Sequence, residues 1–313
     1  MWLYRNLPKS IFVLGIQRSG TTWLGNILSQ HPNIAAVCIK GHGIFESIYF
    51  SHFIGKFGNL RDARNFKMLV EMFARSNYFL LTGLKKEILY RNRPQTYPDF
   101  FRLLMDNFAR MEKKDFWVEK SPDHTPYVEN ISEYFPDAKF IAIKRNVFSV
   151  IKSALQLRKN RRILQGKMDL PFLKLVVIFY YILRYVIFYK HIEHFLCISK
   201  TMKIVTYEKL RLSRKQVILN LCEFLGIKFA PQMLERRYRP STSFRSINER
   251  KKAIFSPIEK QMIKRVVYLL NCLPYPLFWL IYRVEKVLVE NKVPSWCFSS
   301  KIRHQILKSR YLA

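Results

Sequence analysis

The segment Gly15-Ile-Gln-Arg18-Ser19-Gly20-Thr21-Thr22 carries two glycines in G-x-x-x-x-G spacing, a cation between them and two hydroxyls behind. Residues of these types hold an oxyanion. Glycines let the backbone amides turn toward one point, and a following helix adds the positive end of its dipole. In loops that hydrolyse ATP or GTP, a lysine after the second glycine reaches the terminal phosphates. Here that position is Thr21 and the cation, Arg18, sits inside the loop. Nucleotide hydrolysis is disfavoured, and a P-loop nucleotide kinase is the weaker reading. A glycine turn without a ligand is the bland alternative.

Such a loop needs a strand before it and a helix after it. Ile11–Ile16 is a short apolar run that reads as a buried strand, and about Thr21 to Gln30 reads as a helix with Trp23, Leu24, Ile27 and Leu28 on one stripe. His31-Pro32-Asn33 ends that helix. Asn33–Ile39 suits a second strand, Lys139–Ile143 (KFIAI) a buried one and Lys203–Thr206 (KIVT) another. Ile48–Leu81, Pro98–Lys113 and about Val147 to Arg158 read as helices. This alternation predicts a single α/β domain over 1–313, with a central parallel sheet flanked by helices, a P-loop-like loop and a mostly helical C-terminal third.

The chain has 313 residues, and 54 Lys plus Arg against 22 Asp plus Glu leave a net charge of +32. With 49% hydrophobic residues it can bury a large core, which excludes a disordered chain. The charge creates a field that attracts phosphate, sulfate, nucleic acid or anionic lipid without choosing among them. Its distribution is more specific: no acid precedes Glu46, and residues 144–167 hold eight basic side chains and no acid. The five cysteines (Cys38, Cys197, Cys222, Cys272, Cys297) have no metal-ligand spacing, so reduced, mostly buried thiols are expected. His191-x-x-His194 lacks a third ligand and reads as structural. Leu175–Leu183, between Lys174 and Arg184, is too short to span a bilayer. Val266–Tyr282 is interrupted by Asn271, Pro274 and Pro276 and reads as a bent core helix pair. The alternative there is peripheral membrane attachment through Phe278 and Trp279.

Arg18-Ser19-Gly20-Thr21-Thr22-Trp23-Leu24, continued by Gly25-Asn-Ile-Leu-Ser-Gln-His31-Pro32, resembles the 5′-phosphosulfate loop of sulfotransferases. Those enzymes take 3′-phosphoadenosine 5′-phosphosulfate (PAPS) as sulfonate donor. The resemblance implies that Arg18, Ser19, Gly20, Thr21 and Thr22 cradle the 5′-phosphate and sulfonate. Trp23 matches an adenine-stacking position; core packing is its alternative. Arg145 at a strand end, with Ser153 on the next helix, resembles the family's 3′-phosphate motif. A guanidinium takes phosphate oxygens bidentately and a hydroxyl completes the cradle. Thr206-Tyr207-Glu208-Lys209-Leu210 resembles the Y-E-x-L segment, which brings Tyr207 near the nucleotide. Ser241–Lys252 is a candidate nucleotide-closing loop, although the cytosolic branch's R-K-G-x-x-G signature is missing.

In-line transfer of a sulfonate to a hydroxyl or amine benefits from a general base and from cations on the leaving phosphate. Arg and Lys can hold that charge, so no metal is required. Gly41-His42-Gly-Ile-Phe-Glu46 resembles the region where bacterial and Golgi-type sulfotransferases carry a basic Glu, making Glu46 the first candidate and His42 the alternative. Val118-Glu119-Lys120-Ser121-Pro122-Asp123-His124 resembles the family's E-K-[ST]-P segment. Lys120 is then a candidate for the transferring sulfonate and His124 for the acceptor side, against a surface ion pair of Lys120 with Glu119 or Asp123. The loop so near residue 1 suggests a bacterial-type cytoplasmic enzyme, with a glycan, lipid or small-molecule acceptor and peripheral contact to anionic membrane. A basic nucleic-acid or membrane-surface binder is the non-enzymatic rival, and no specific nucleic acid is expected.

Overall fold

In the computed structural model, which describes residues 7–39, 41–158, 171–235, 255–289, 293–300 and 303, the first apolar run becomes strand β1 (Lys9–Leu14), buried at every residue after Lys9. Gly15 and Ile16 already belong to the loop. A continuous apolar run is what a strand covered on both faces requires. β1 is the middle of a five-stranded parallel sheet. It pairs with β5 (Phe116–Lys120) on one side and β6 (Lys139–Lys144) on the other, with β2 (Ile34–Ala36) and β7 (Met202–Thr206) at the edges. β3 (Cys38–Ile39) and β4 (Gly43–Ile44) form a separate antiparallel hairpin, so the expected strand 33–39 is split at Val37.

β5 is the strand that patterning misses. Phe-Trp-Val-Glu-Lys ends in two charges, which argue against burial, yet all five residues are buried. The chain leaves β1 toward one edge of the sheet and later crosses from β5 to β6 on the other side. The crevice at the C-terminal end of β1 is therefore where such sheets bind ligands.

Side chains alternate along the strands. Phe12, Leu14, Trp117, Phe140 and Ala142 face one apolar layer; Ile11, Val13, Val118, Ile141 and Ile143 face the other. Helix α1 (Thr21–Ser29) covers the second layer. The first is covered by α2 (Tyr49–His52), α3 (Ala63–Ala74), α4 (Asn77–Thr82), α5 (Glu87–Asn92) and α6 (Tyr97–Met111). The expected helix 48–81 is thus three shorter ones. Asp62 accepts from the amides of Arg64 and Asn65 and Ser76 from that of Phe79, each starting a new helix. The remaining helices are α7 (Val128–Tyr134), α8 (Val147–Arg158), α9 (Pro171–Ile198), α10 (Tyr207–Leu212), α11 (Arg214–Leu225), α12 (Pro257–Asn271) and α13 (Tyr275–Val289).

Arg184 does not close the apolar stretch before it. α9 continues through it, and Lys174–Ile198 is 25 residues long and apolar enough to cross a membrane. Its Ile178, Ile182, Ile187 and Phe188 are instead fully buried in the core. α12 and α13 are the bent pair, and α13 packs on α9. Phe278 is buried, whereas Trp279, against His191 and Tyr127, is half-buried and Tyr268, Leu269 and Leu280 are exposed, so the pair is less of a core element than expected. Of the cysteines, all free, Cys222 and Cys297 are buried while Cys197 and Cys272 are exposed, so burial is less general than expected. The candidate loop Ser241–Lys252 lies outside the described residues, as do Lys159, Arg161, Arg162 and Lys167.

His191 and His194 are structural. His191 is ringed by Tyr275, Trp279 and Tyr282, and its Nδ1 meets the Tyr275 hydroxyl at 2.8 Å. Burial, aided by His194, pushes its pKa down to about 4. The folded state therefore favours the neutral ring. Its contribution is complete above the unfolded value near 6.5 and is lost as pH falls through about 4. Urea unfolding at pH 7 and pH 4.5 should show a loss reaching about 2–3 kcal/mol from this group, and His191→Phe should remove that part of the pH dependence.

Candidate functional site

The loop between β1 and α1 is held by close approach. Gly15 has φ 138°, and a Cβ there would stand 2.7 Å from the Ile143 carbonyl oxygen. Its amide donates to Thr125 Oγ1 at 2.9 Å. Gly20 has φ 108°, and a Cβ there would strike the Tyr207 ring at 2.7 Å. Between them Arg18 adopts φ 74°, a left-handed conformation that non-glycine residues rarely take. Ser19 is fully buried, its hydroxyl donating to the Ile16 carbonyl at 2.7 Å. Thr21 and Thr22 open α1, whose first turn carries no acid and no side-chain cap. Its amides point at the place where the loop closes, an arrangement that favours an anion.

The second cradle adjoins the first. Arg145, just past β6, donates from Nη1 to the Arg18 carbonyl at 2.9 Å, and Arg18 donates from Nε to Ser153 Oγ at 3.1 Å. The motifs read separately from sequence are thus cross-linked across 127 and 135 residues. Burial first, and the neighbouring Arg145 next, lower the Arg18 guanidinium from its ordinary value, with Tyr181 acting the other way. Two desolvated guanidiniums this close repel, and a bound anion relieves that repulsion. Tyr207 lies under Arg145, guanidinium carbon 4.0 Å from the ring centre, and Trp23 meets Tyr207 edge-on at 5.3 Å. Trp23 is half-buried, packed against the core layer that α1 covers, with its ring also meeting Tyr207.

Sequence reading missed what α9 contributes. Tyr189 donates to the Ile143 carbonyl and accepts from the Arg145 amide, and Tyr185 donates to the Arg145 carbonyl. Arg184 donates to Asp123 Oδ1 at 2.7 Å, and Gln17 of the loop donates to that same oxygen. Tyr181, Tyr185 and Tyr189, four apart beside Arg184, were the available signal: a row of hydroxyls along one side of a largely apolar helix.

Glu46 follows β4, and Lys120 ends β5. The structure joins them as an ion pair, with the lysine buried and Glu46 partly open to solvent. Lys120 therefore does not pair with Glu119 or Asp123 at the surface. Lys120 also touches α1, where a Cβ on Gly25 would come within 3.4 Å of its stem. His42 lies exposed on the β3–β4 turn. His124 is fully buried and bonded to Glu119, so it does not face an acceptor. The Cys297 thiol is pushed up to about 12 by burial and by the Glu46 carboxylate, which brings the Ser295–Phe298 turn into the neighbourhood of Glu46.

A cleft of about 830 Å³ lies at the N-terminal ends of β1 and β5, among Lys9, Arg110, Lys113, Lys114 and Lys228. Arg110, Lys113 and Lys114 lie at and just past the end of α6 and Lys228 just past α11, and Lys114 Nζ donates to the Ile34 carbonyl of β2 at 3.3 Å. The chemistry-bearing groups lie at the other ends of the strands. There the backbone and side-chain donors can hold two anionic groups, beside a carboxylate–ammonium pair able to exchange a proton and steady negative charge.

The profile described as Sulfotransferase family matches residues 8–231. Among solved structures the chain is similar to the sulfotransferase domain from the curacin biosynthetic pathway, at 19% identity over 97% of this chain and 98% of that one, TM-score 0.48. It is similar also to a sulfotransferase from Alicyclobacillus acidocaldarius (17%, 92% and 98%, TM-score 0.45) and to one from Mycobacterium tuberculosis H37Rv (13%, 85% and 77%, TM-score 0.48). No curated protein matches it.

Proposed function

This chain belongs to the sulfotransferase family, and on that premise we propose that it transfers a sulfonate from PAPS to a hydroxyl or amine by in-line displacement. The observation that carries this reading is the junction of the two cradles, Arg145 to the Arg18 carbonyl and Arg18 to Ser153. A nucleotide with phosphates at both its 5′ and 3′ positions calls for two adjoining sets of donors of this kind. Ser19, Gly20, Thr21 and Thr22 supply the first, Arg145 and Ser153 the second, and Trp23 and Tyr207 offer aromatic faces beside them. PAPS, when bound, supplies the activated sulfonate. Arg18 steadies charge on the leaving phosphate, Lys120 steadies the sulfonate, and Glu46 accepts the proton of the acceptor hydroxyl or amine. The packing of α12 and α13 on α9 supports reading the whole chain as one domain.

Calorimetric titration of the full chain with adenosine 3′,5′-bisphosphate and with AMP tests this. The two ligands differ only in the 3′-phosphate. The bisphosphate is expected to bind at least about 10-fold more tightly, since one charge-assisted contact is worth about 1.5–3 kcal/mol. Equal or absent binding by the folded protein would overturn the proposal.

A further inference from the structure

Four polar side chains behind the Glu46–Lys120 pair are each at most 2% exposed: Ser47, Glu119, Ser121 and His124. Their hydrogen bonds converge on one short stretch of backbone. The Ser47 amide donates to Glu119 Oε1 at 3.3 Å, the Ile48 amide to Ser121 Oγ at 3.0 Å, the Tyr49 amide to Ser47 Oγ at 3.3 Å and the Phe50 amide to His124 Nε2 at 3.1 Å. Four consecutive amides at the start of α2 are thus taken up by side chains. Glu119 binds the set together, accepting from the Ser121 hydroxyl at 2.6 Å, the Ser47 hydroxyl at 2.7 Å and His124 Nδ1 at 2.8 Å.

The bonds fix the histidine tautomer. A backbone amide can only donate, so His124 Nε2 carries no proton and the proton on Nδ1 goes to Glu119. Burial pushes the Glu119 carboxyl up, and the hydrogen bonds it accepts from His124, Ser121 and Ser47 act the other way.

The stretch so held is a strained one. Ile48 has φ 48°, the left-handed region in which a β-branched residue is an outlier. Such a conformation persists only where its surroundings over-determine it. Glu46 lies immediately before the captured amides. Lys120 lies between two of their captors, Glu119 and Ser121. The same bonds that hold the turn therefore fix the carboxylate of Glu46 relative to the ammonium of Lys120.

We propose that Glu119 and His124 are positioning residues, a buried clamp that sets the register of Glu46 against Lys120. The inference rests on the proposed sulfotransferase reading, in which Glu46 is the base. Glu119→Gln tests it with little change of volume. If the new amide nitrogen faces His124, the ring must take the other tautomer and set Nε2–H against the Phe50 amide. If it faces Ser47 instead, it meets the Ser47 amide. Either way two donors confront each other and the clamp loosens.

The readout is cleavage of labelled PAPS by the full chain with water as acceptor, which gives sulfate and adenosine 3′,5′-bisphosphate. Glu119→Gln should lower kcat by at least about 30-fold while KM for PAPS and the bisphosphate Kd change by less than about threefold. In a Glu46→Gln background the same substitution should cost less than about threefold, because a residue acting through Glu46 loses its effect once Glu46 is gone. A merely structural role would multiply the two losses, and that result, or an unchanged kcat, would overturn the inference. If Glu119→Gln does not fold, Ser121→Ala, which removes the acceptor of the Ile48 amide, goes through the same double-mutant cycle. Wild type that neither binds the bisphosphate nor cleaves PAPS would overturn the sulfotransferase reading and this inference together. Intact wild-type turnover with multiplicative losses would overturn the clamp alone.

Discussion

Arg145→Ala should erase the preference for adenosine 3′,5′-bisphosphate over AMP, weakening the former by about 100-fold and the latter far less. The size follows from the chemistry of the group. A planar guanidinium donates two parallel hydrogen bonds to a phosphate, each charge-assisted, and together they are worth about 3 kcal/mol. Its plane is already oriented, stacked on Tyr207 and tied to the Arg18 carbonyl, so little ordering remains to be done on binding. Truncation also releases Arg18, which accounts for a smaller loss with AMP. Arg145→Lys separates the two effects. It keeps the charge and discards the fork, and it should recover only part of the preference. Equal losses for both ligands would mean that Arg145 supports the loop without reading the 3′-phosphate.

Glu46→Gln should lower transfer by roughly 10²–10⁴-fold with bisphosphate affinity nearly unchanged. Glutamine fits the same space and still offers Lys120 an acceptor, so the lesion is confined to the proton. Rates would be taken with labelled PAPS and an acceptor found by screening, or with water. A rate within about twofold of wild type would move the base role elsewhere, since general-base removal is not silent. His42→Ala is the parallel measurement. Exposed on its turn and outside the Glu46–Lys120 pair, His42 should change the rate little.

How much of this was legible in sequence depends on how far apart the interacting residues lie. The β1–loop–α1 unit is contiguous. Its apolar run, its two positive-φ glycines and its helix start fall within one window, and each local preference agrees with the others. The Arg145–Ser153 unit is equally local, a strand end and the helix after it. These two motifs, and the parallel α/β architecture that alternating runs require, were determined by the sequence itself.

The tertiary structure decided the rest. Charged residues at the end of β5 look wrong for a buried strand until Glu46 reaches Lys120 from 74 residues away and Ser47 reaches Glu119 from 72. The apolar look of α9 concealed tyrosines that brace Arg145, because periodicity reports that a face is polar but not what it touches. His124 resembled a site residue and is a buried strut. Local propensity is written in neighbouring residues. A buried charge is tolerated only when a distant partner satisfies it, and that partner is chosen by how the layers pack.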